Sequence, residues 1–152
     1  MCCNGVIFAD VRLQPGDDPA LMKSIGLQLS GDRSFKQPCS ALEGCRCRVY
    51  ENRPAHCRGF ECRLLKRVQA GQFGAEVALG VIKGTQAKAE EIRDLFQALG
   101  DTDSHQALRT RFRRLQRRLE KVELSRETAE IYGRLTLAVH SLNLRISQWF
   151  YS

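Results

Sequence analysis

The spacing of apolar positions changes character near residue 70. From Ala78 onward it is helical. Ala78, Val81, Thr85, Ala89, Ile92, Phe96 and Leu99 step by threes and fours, and Gly100 ends the run. Gly80 and Gly84 weaken the front of that helix and leave its start loosely defined. Leu108, Phe112, Leu115, Leu119 and Val122 form a second stripe, with Asp103 or Ser104 as its N-cap. Ala129, Tyr132, Leu135, Val139, Leu142, Ile146 and Trp149 form a third, capped by Ser125. The short connections predict antiparallel neighbours and a small three-helix bundle, with no internal repeat.

Before residue 70 the pattern is broken. All four prolines fall there, with glycines at short intervals. Val6-Ile7-Phe8 and Val11-Arg12-Leu13 predict a short strand with a kink at Ala9-Asp10. Pro15-Gly16-Asp17-Asp18 is a turn. Asp18-Pro19 supplies an N-cap and a first helical residue for a helix over 20–25, which Gly26 stops. Residues 30–48 are too rich in Ser, Gly and Cys for long regular structure. Asn52-Arg53-Pro54 reads as a helix start, with Asn52 as cap.

Composition changes the picture in one respect. Over 152 residues, 43% apolar and 27% charged is an ordinary globular balance, which excludes a wholly disordered chain. No uncharged apolar stretch is long enough to span a bilayer. The seven cysteines, however, all lie in the first 62 residues: Cys2, Cys3, Cys39, Cys45, Cys47, Cys57 and Cys62. Seven is odd, so a closed disulfide framework leaves one thiol over. The first residues carry neither a basic n-region nor an apolar h-region, so a cytoplasmic, thiol-reducing compartment is expected. Dense cysteines in such a compartment read as a metal site. Acylation of Cys2-Cys3 needs a neighbouring basic or amphipathic anchor, and the strand-like residues that follow do not supply one.

Residues 37–62, QPCSALEGCRCRVYENRPAHCRGFEC, hold the densest chemistry. Cys57 and Cys62 fall on or just after the first turn of the expected helix, where the helix dipole favours thiolate. Arg46, Arg48, Arg53, Arg58 and Arg63 crowd the same stretch. A tetrathiolate zinc site is dianionic, and guanidinium donors to its sulfurs tune it; Arg53 and Arg58 are the candidates for that task.

The residues Cys2-Cys3-Asn4-Gly5, Phe8, Val11-Arg12-Leu13, Pro38-Cys39, Cys47-Arg48-Val49-Tyr50-Glu51-Asn52-Arg53-Pro54 and Cys57-Arg58-Gly59-Phe60-Glu61-Cys62 occur in an order that resembles the YkgJ-like cysteine-cluster proteins. The resemblance covers residues 2 to about 70. It implies a zinc- or iron-chelating module, or one holding an iron–sulfur cluster such as a 4Fe–4S cluster. The ligand set it implies is Cys2, Cys3, Cys39, Cys47, Cys57 and Cys62, with Cys45 as an additional candidate. The family signature also has a Cys-x-x-Cys pair just before the Cys-Cys pair, which this sequence lacks. The expectation is therefore a reading frame that starts late, with the native chain extending upstream. Flagellin lysine methylases carry a related cluster on much longer chains, and their activity does not transfer on this basis.

Other residues carry weaker signals. His56 neighbours Cys57 but reads as a loop histidine, and His105 and His140 as exposed or structural. No His-Glu-x-x-His pair, Walker-type loop or GxGxxG fingerprint occurs. The net charge is +7, shared by both halves of the chain. Residues 109–121, RTRFRRLQRRLEK, place Arg109, Arg113, Arg117 and Arg118 off the apolar face of their helix, with Arg114 intermediate. That stripe reads first as a solvated outer face and second as a phosphate-contacting surface. Trp149-Phe150-Tyr151 and Phe73 read as packing groups.

The expected fold is mainly α. An irregular cysteine-rich metal-binding lobe (residues 1–70) with a short β-element packs on a C-terminal helical bundle (residues 71–152), together one compact domain. The expected function is binding of zinc or an iron–sulfur cluster through clustered thiolates, with no catalytic residue. One alternative is an interaction or nucleic-acid-binding module with a purely structural metal. Another is a redox or modifying enzyme that uses the cluster.

Overall fold

The computed structural model describes residues 1–151. It is mainly helical, with little strand. The chain forms two compact units, Met1–Phe60 with Ser104–Thr110, and Glu61–Asp103 with the chain from Arg111 onward. The sequence changes character near residue 70; the division into units comes after Phe60, and a short later segment returns to the first.

The first unit opens with a 3-10 turn over Cys2–Asn4, which Gly5 closes at φ 76°. A Cβ at Gly5 would stand 2.9 Å from Ala107 Cα, so this position needs glycine for both its torsion and its space. Val6 and Ile7 follow, buried but not in a strand. The strand expected across residues 6–13 is shorter: β1 is Asp10–Arg12. Gly5 turns the chain in the left-handed region just before these residues, and its carbonyl accepts from Leu108 N at 3.1 Å rather than from a strand partner.

Helix α1, Pro19–Ser24, forms as its sequence requires. Asp18 accepts from Ala20 N, Pro19 is the first helical residue, and Gly26 turns the chain at φ 93°. Residues 29–47 hold four very short strands rather than an irregular loop. They are β2 (Leu29–Ser30), β3 (Ser34–Lys36), β4 (Leu42–Glu43) and β5 (Arg46–Cys47). One antiparallel sheet has the order β1-β3-β2, with Val11 opposite Phe35; β4 and β5 form a separate hairpin. Val11, Met22, Leu27, Phe35 and Ala41 make the small core of this unit, and Cys39 and Cys57 pack against it.

The helix expected from Asn52 becomes two short ones. A 3-10 turn covers Tyr50–Asn52, then α2 runs from Ala55 to Gly59 and α3 from Arg63 to Gln69. Asn52 caps neither. Pro54 at the N-cap of α2 has no side-chain acceptor to offer, so the cap comes from elsewhere in the sequence.

The second unit is helical. Besides α3 it contains α4 (Ala75–Ala98) and α6 (Arg126–Trp149), which pack on each other, and most of α5 (Leu108–Leu119). The expected stripes supply its core: Ala89, Ile92 and Phe96 from α4, Leu115 from α5, and Leu135, Leu142 and Ile146 from α6 are all buried. Ser125 caps α6 by accepting from Thr128 N at 3.2 Å. α5 starts at Leu108, later than an Asp103 or Ser104 cap allows, and Val122 lies beyond its end and is exposed. Gly84 on α4 leaves room for Arg145, whose guanidinium lies against it and donates to the buried Thr85 hydroxyl.

One buried ion pair organises the connection between α4 and α5. The side chains of Asp101 and Arg111 are 4% and 5% exposed, with Arg111 Nε 3.2 Å from Asp101 Oδ1. Arg111 also donates to the Asp101 carbonyl at 2.7 Å and lies over the Phe96 ring, 4.4 Å from its centroid. Arg114 reaches the second carboxylate oxygen at 2.9 Å. Removing the carboxylate leaves a buried guanidinium without its counter-charge. Asp101→Ala is expected to destabilise the second unit by about 3–5 kcal/mol, read as a fall in the urea midpoint of helix unfolding by circular dichroism.

Candidate metal centre

Four separate stretches of the first unit carry cysteines to one cavity of about 630 Å³. The N-terminal 3-10 turn brings Cys2 and Cys3. Cys39 follows the cis Gln37–Pro38 peptide, and its amide donates to the Cys3 carbonyl at 2.8 Å, so these two stretches run side by side. Cys47 lies on β5 opposite Leu42. Cys57 lies on α2. All five line the cavity and are half-buried.

The β4–β5 hairpin separates the roles of Cys45 and Cys47. Glu43 pairs with Arg46, leaving Gly44 and Cys45 as a two-residue turn, and Gly44 adopts φ 58°. Cys45 therefore sits at the tip, exposed, at the mouth of the cavity. Cys62 is not among the lining residues. It is the N-cap of α3, its sulfur accepting from Leu65 N at 3.5 Å, and it belongs to the second unit.

The thiols interact electrostatically. Burial pushes the Cys57 thiol up to about 12, and the negative charge of Cys3, Cys39 and Cys47 adds to the rise. Cys3 is raised by burial and by Cys47, and Cys39 by burial, Cys3 and Cys47. Arg53 works in the opposite direction on Cys3 and Cys57. Its Nε donates to the Tyr50 carbonyl at 2.8 Å and its guanidinium lies 3.6 Å from the Tyr50 ring centroid. Arg53 thus lines the same cavity as the thiols. Arg58 is exposed on α2 and does not line the cavity.

His56 is more than a loop histidine. It is half-buried on the cavity wall, stacked on Phe60 with ring centroids 5.9 Å apart and 19° between planes. Among the described residues, no three His, Cys, Asp or Glu side chains stand close enough to hold a metal ion as they are placed. The donor set nevertheless fits a thiophilic metal in its chemistry: several thiols, the guanidinium groups of Arg46 and Arg53, and no carboxylate on the wall.

A residue with no obvious signal in the sequence positions Cys57. Asp17 accepts from Ala55 N at 2.9 Å, capping α2 across 38 residues of sequence, while its other oxygen accepts from Gln14 N at 2.8 Å. Nothing near Pro54 in the sequence reveals this, because the cap is tertiary.

The basic stripe on α5 is occupied only in part. Arg111 and Arg114 are engaged by Asp101 and Asp103, and Arg118 donates to the Leu99 carbonyl at 2.8 Å. Arg109, Arg113 and Arg117 are exposed. Among the described residues no helix is long and apolar enough to cross a membrane.

Compared with protein-family models, curated proteins and solved structures, the chain matches none.

Two outcomes are expected from this geometry. With iodoacetamide added at neutral pH in the presence of a chelator, exposed Cys45 is expected to be alkylated first, whereas Cys3, Cys39 and Cys57 react slowly because burial favours their thiol form. Peptide mass spectrometry over time gives the order, and equal rates would contradict it. Asp17→Ala is expected to destabilise the first unit by about 1–2 kcal/mol. Amide hydrogen exchange should rise in Ala55–Gly59 above all.

Proposed function

We propose that the first unit binds a thiophilic metal, as zinc or as an iron–sulfur cluster, through Cys3, Cys39, Cys47 and Cys57, with Cys2 as a further donor. The observation that carries this reading is the convergence of thiols from separate stretches of chain on one cavity, where they sense one another's charge. Structural cysteines have no need to gather in this way. Four half-buried thiols near one another are poorly placed as anions, and a bound cation reverses that penalty. The resemblance to the YkgJ-like cysteine-cluster proteins points to the same chemistry, and this chain's membership of that family is part of the proposal.

The residues divide the work. Cys3, Cys39, Cys47 and Cys57 would hold the metal, releasing protons as they bind because the ligand is the thiolate. Arg53 would offset the negative charge of the thiolate set. Asp17 and the Gly5 turn hold the segments that present Cys57 and Cys3. Zinc would supply a structural cross-link, whereas an iron–sulfur cluster would supply one-electron chemistry. Cys45, at the exposed tip, lies outside the ligand set, and so does Cys62.

Anaerobic purification, followed by metal analysis and an absorption spectrum, tests the reading. Bound zinc with no colour, or bound iron with visible absorption, is expected. Single Cys→Ser changes at Cys3, Cys39, Cys47 and Cys57 should each lower metal content, while Cys45→Ser should leave it unchanged. Protein that carries neither zinc nor iron, and takes up neither on reconstitution, defeats the proposal.

A further inference from the structure

The arginines of α5 fall into two sets. Arg111, Arg114 and Arg118 are held by Asp101, Asp103 and the Leu99 carbonyl. Arg109, Arg113 and Arg117 are exposed, and none has an ion pair or a side-chain hydrogen bond among the described residues. On a continuous helix over Leu108–Leu119 these three follow one another at steps of four residues. Each step is about 6 Å along the axis and turns by about 40°, so the three make one slowly winding row about 12 Å long.

The long helices of this chain manage their charge differently. On α4, Lys88 pairs with Glu91 and Arg93 with Glu90; on α6, Arg126 pairs with Glu130. Residues 104–119 contain no Asp or Glu. Glu120 lies three residues after Arg117 and makes no ion pair with it. Like charges four apart on a helix repel, so Arg113 is set against both Arg109 and Arg117. A solvated face relieves such repulsion with interleaved acids. This row has none, and an external anion would supply the relief.

The row also selects among anions. A guanidinium matches a phosphate with two parallel hydrogen bonds. A nucleic-acid strand presents one phosphate about every 3.4 Å of duplex axis, so the row is long enough to meet about three of them. Leu108, Leu115 and Leu119 are buried and Phe112 stacks on Tyr132, so α5 has no apolar side chain free to enter a bilayer. The same burial leaves no exposed aromatic beside the row for an unpaired base to stack on, which favours a duplex over a single strand.

We infer that α5 docks on the phosphate backbone of a nucleic-acid duplex through Arg109, Arg113 and Arg117, without reading its sequence. No thiol takes part, so the inference does not rest on the metal reading.

The full chain as purified, titrated into short fluorescent duplexes of random sequence, tests it. Duplex DNA and duplex RNA are separate arms, read by anisotropy over a range of salt, and the tighter arm names the source of the backbone. Three phosphate contacts give a slope of about −2.7 for log affinity against log salt, a loss of about 40-fold between 50 and 200 mM. Arg113→Gln should make the slope shallower by about one. The triple variant Arg109→Gln, Arg113→Gln, Arg117→Gln should lose salt-dependent binding while keeping its helical circular dichroism. Should it fail to fold, the three single variants carry the test. A charge-matched control, Lys66→Gln with Lys83→Gln and Arg126→Gln, should keep the original slope. A slope equivalent to fewer than two contacts, or an equal loss in the control, overturns the inference. So does tighter binding to poly-glutamate, which would mark an acidic protein as the partner, or to phosphatidylserine vesicles, which would mark a membrane.

Discussion

Thiols that share a half-buried, apolar cavity cannot all be charged unless a cation stands among them. That constraint governs the first unit. Its core is small, its strands are two or three residues long, and its helices are little more than single turns. Such elements hold each other weakly. Cys39 and Cys57 pack against the small core as apolar groups while also facing the other thiols. Without metal they serve as modest hydrophobes. With it, on the reading proposed here, they become the cross-link the short elements lack.

The second unit follows a different logic. Its helices bury continuous apolar stripes, and its buried Asp101–Arg111 pair is satisfied by further hydrogen bonds and an aromatic ring. Arginines that look like an outer basic face in the sequence are partly drawn inward by Asp101 and Asp103. A run of charge along a helix does not reveal which of its members has a partner, because that partner lies in the preceding loop.

The helices after residue 70 were legible because period and caps agree. Gly100 and Ser125 mark real ends, and the stripes through Ile92, Leu115 and Leu142 are the real core. α1 was legible for the same reason, through Asp18 and Pro19. The strands of residues 29–47 were not, because two-residue strands have no period to detect. The start of α2 was misplaced because Asp17, rather than Asn52, supplies its cap. The grouping of Cys3, Cys39, Cys47 and Cys57 could be suspected from motif order. The distinction of Cys45 by its hairpin tip, and of Cys62 by its capping role, needed the structure.

The bond from Ala55 to Asp17 also bears on how the chain acquires its structure. It closes a loop of 38 residues, and the contacts of β1 with β3 and of Cys3 with Cys39 are likewise distant in sequence. Many helical contacts of the second unit are local. Loop closure must come before such distant contacts can contribute, so topology favours early formation of the helices and late formation of the cysteine-rich unit. For as long as that lag lasts during synthesis, the thiols are open to solvent and to one another, and their chemistry then depends on the redox state of their surroundings rather than on the fold.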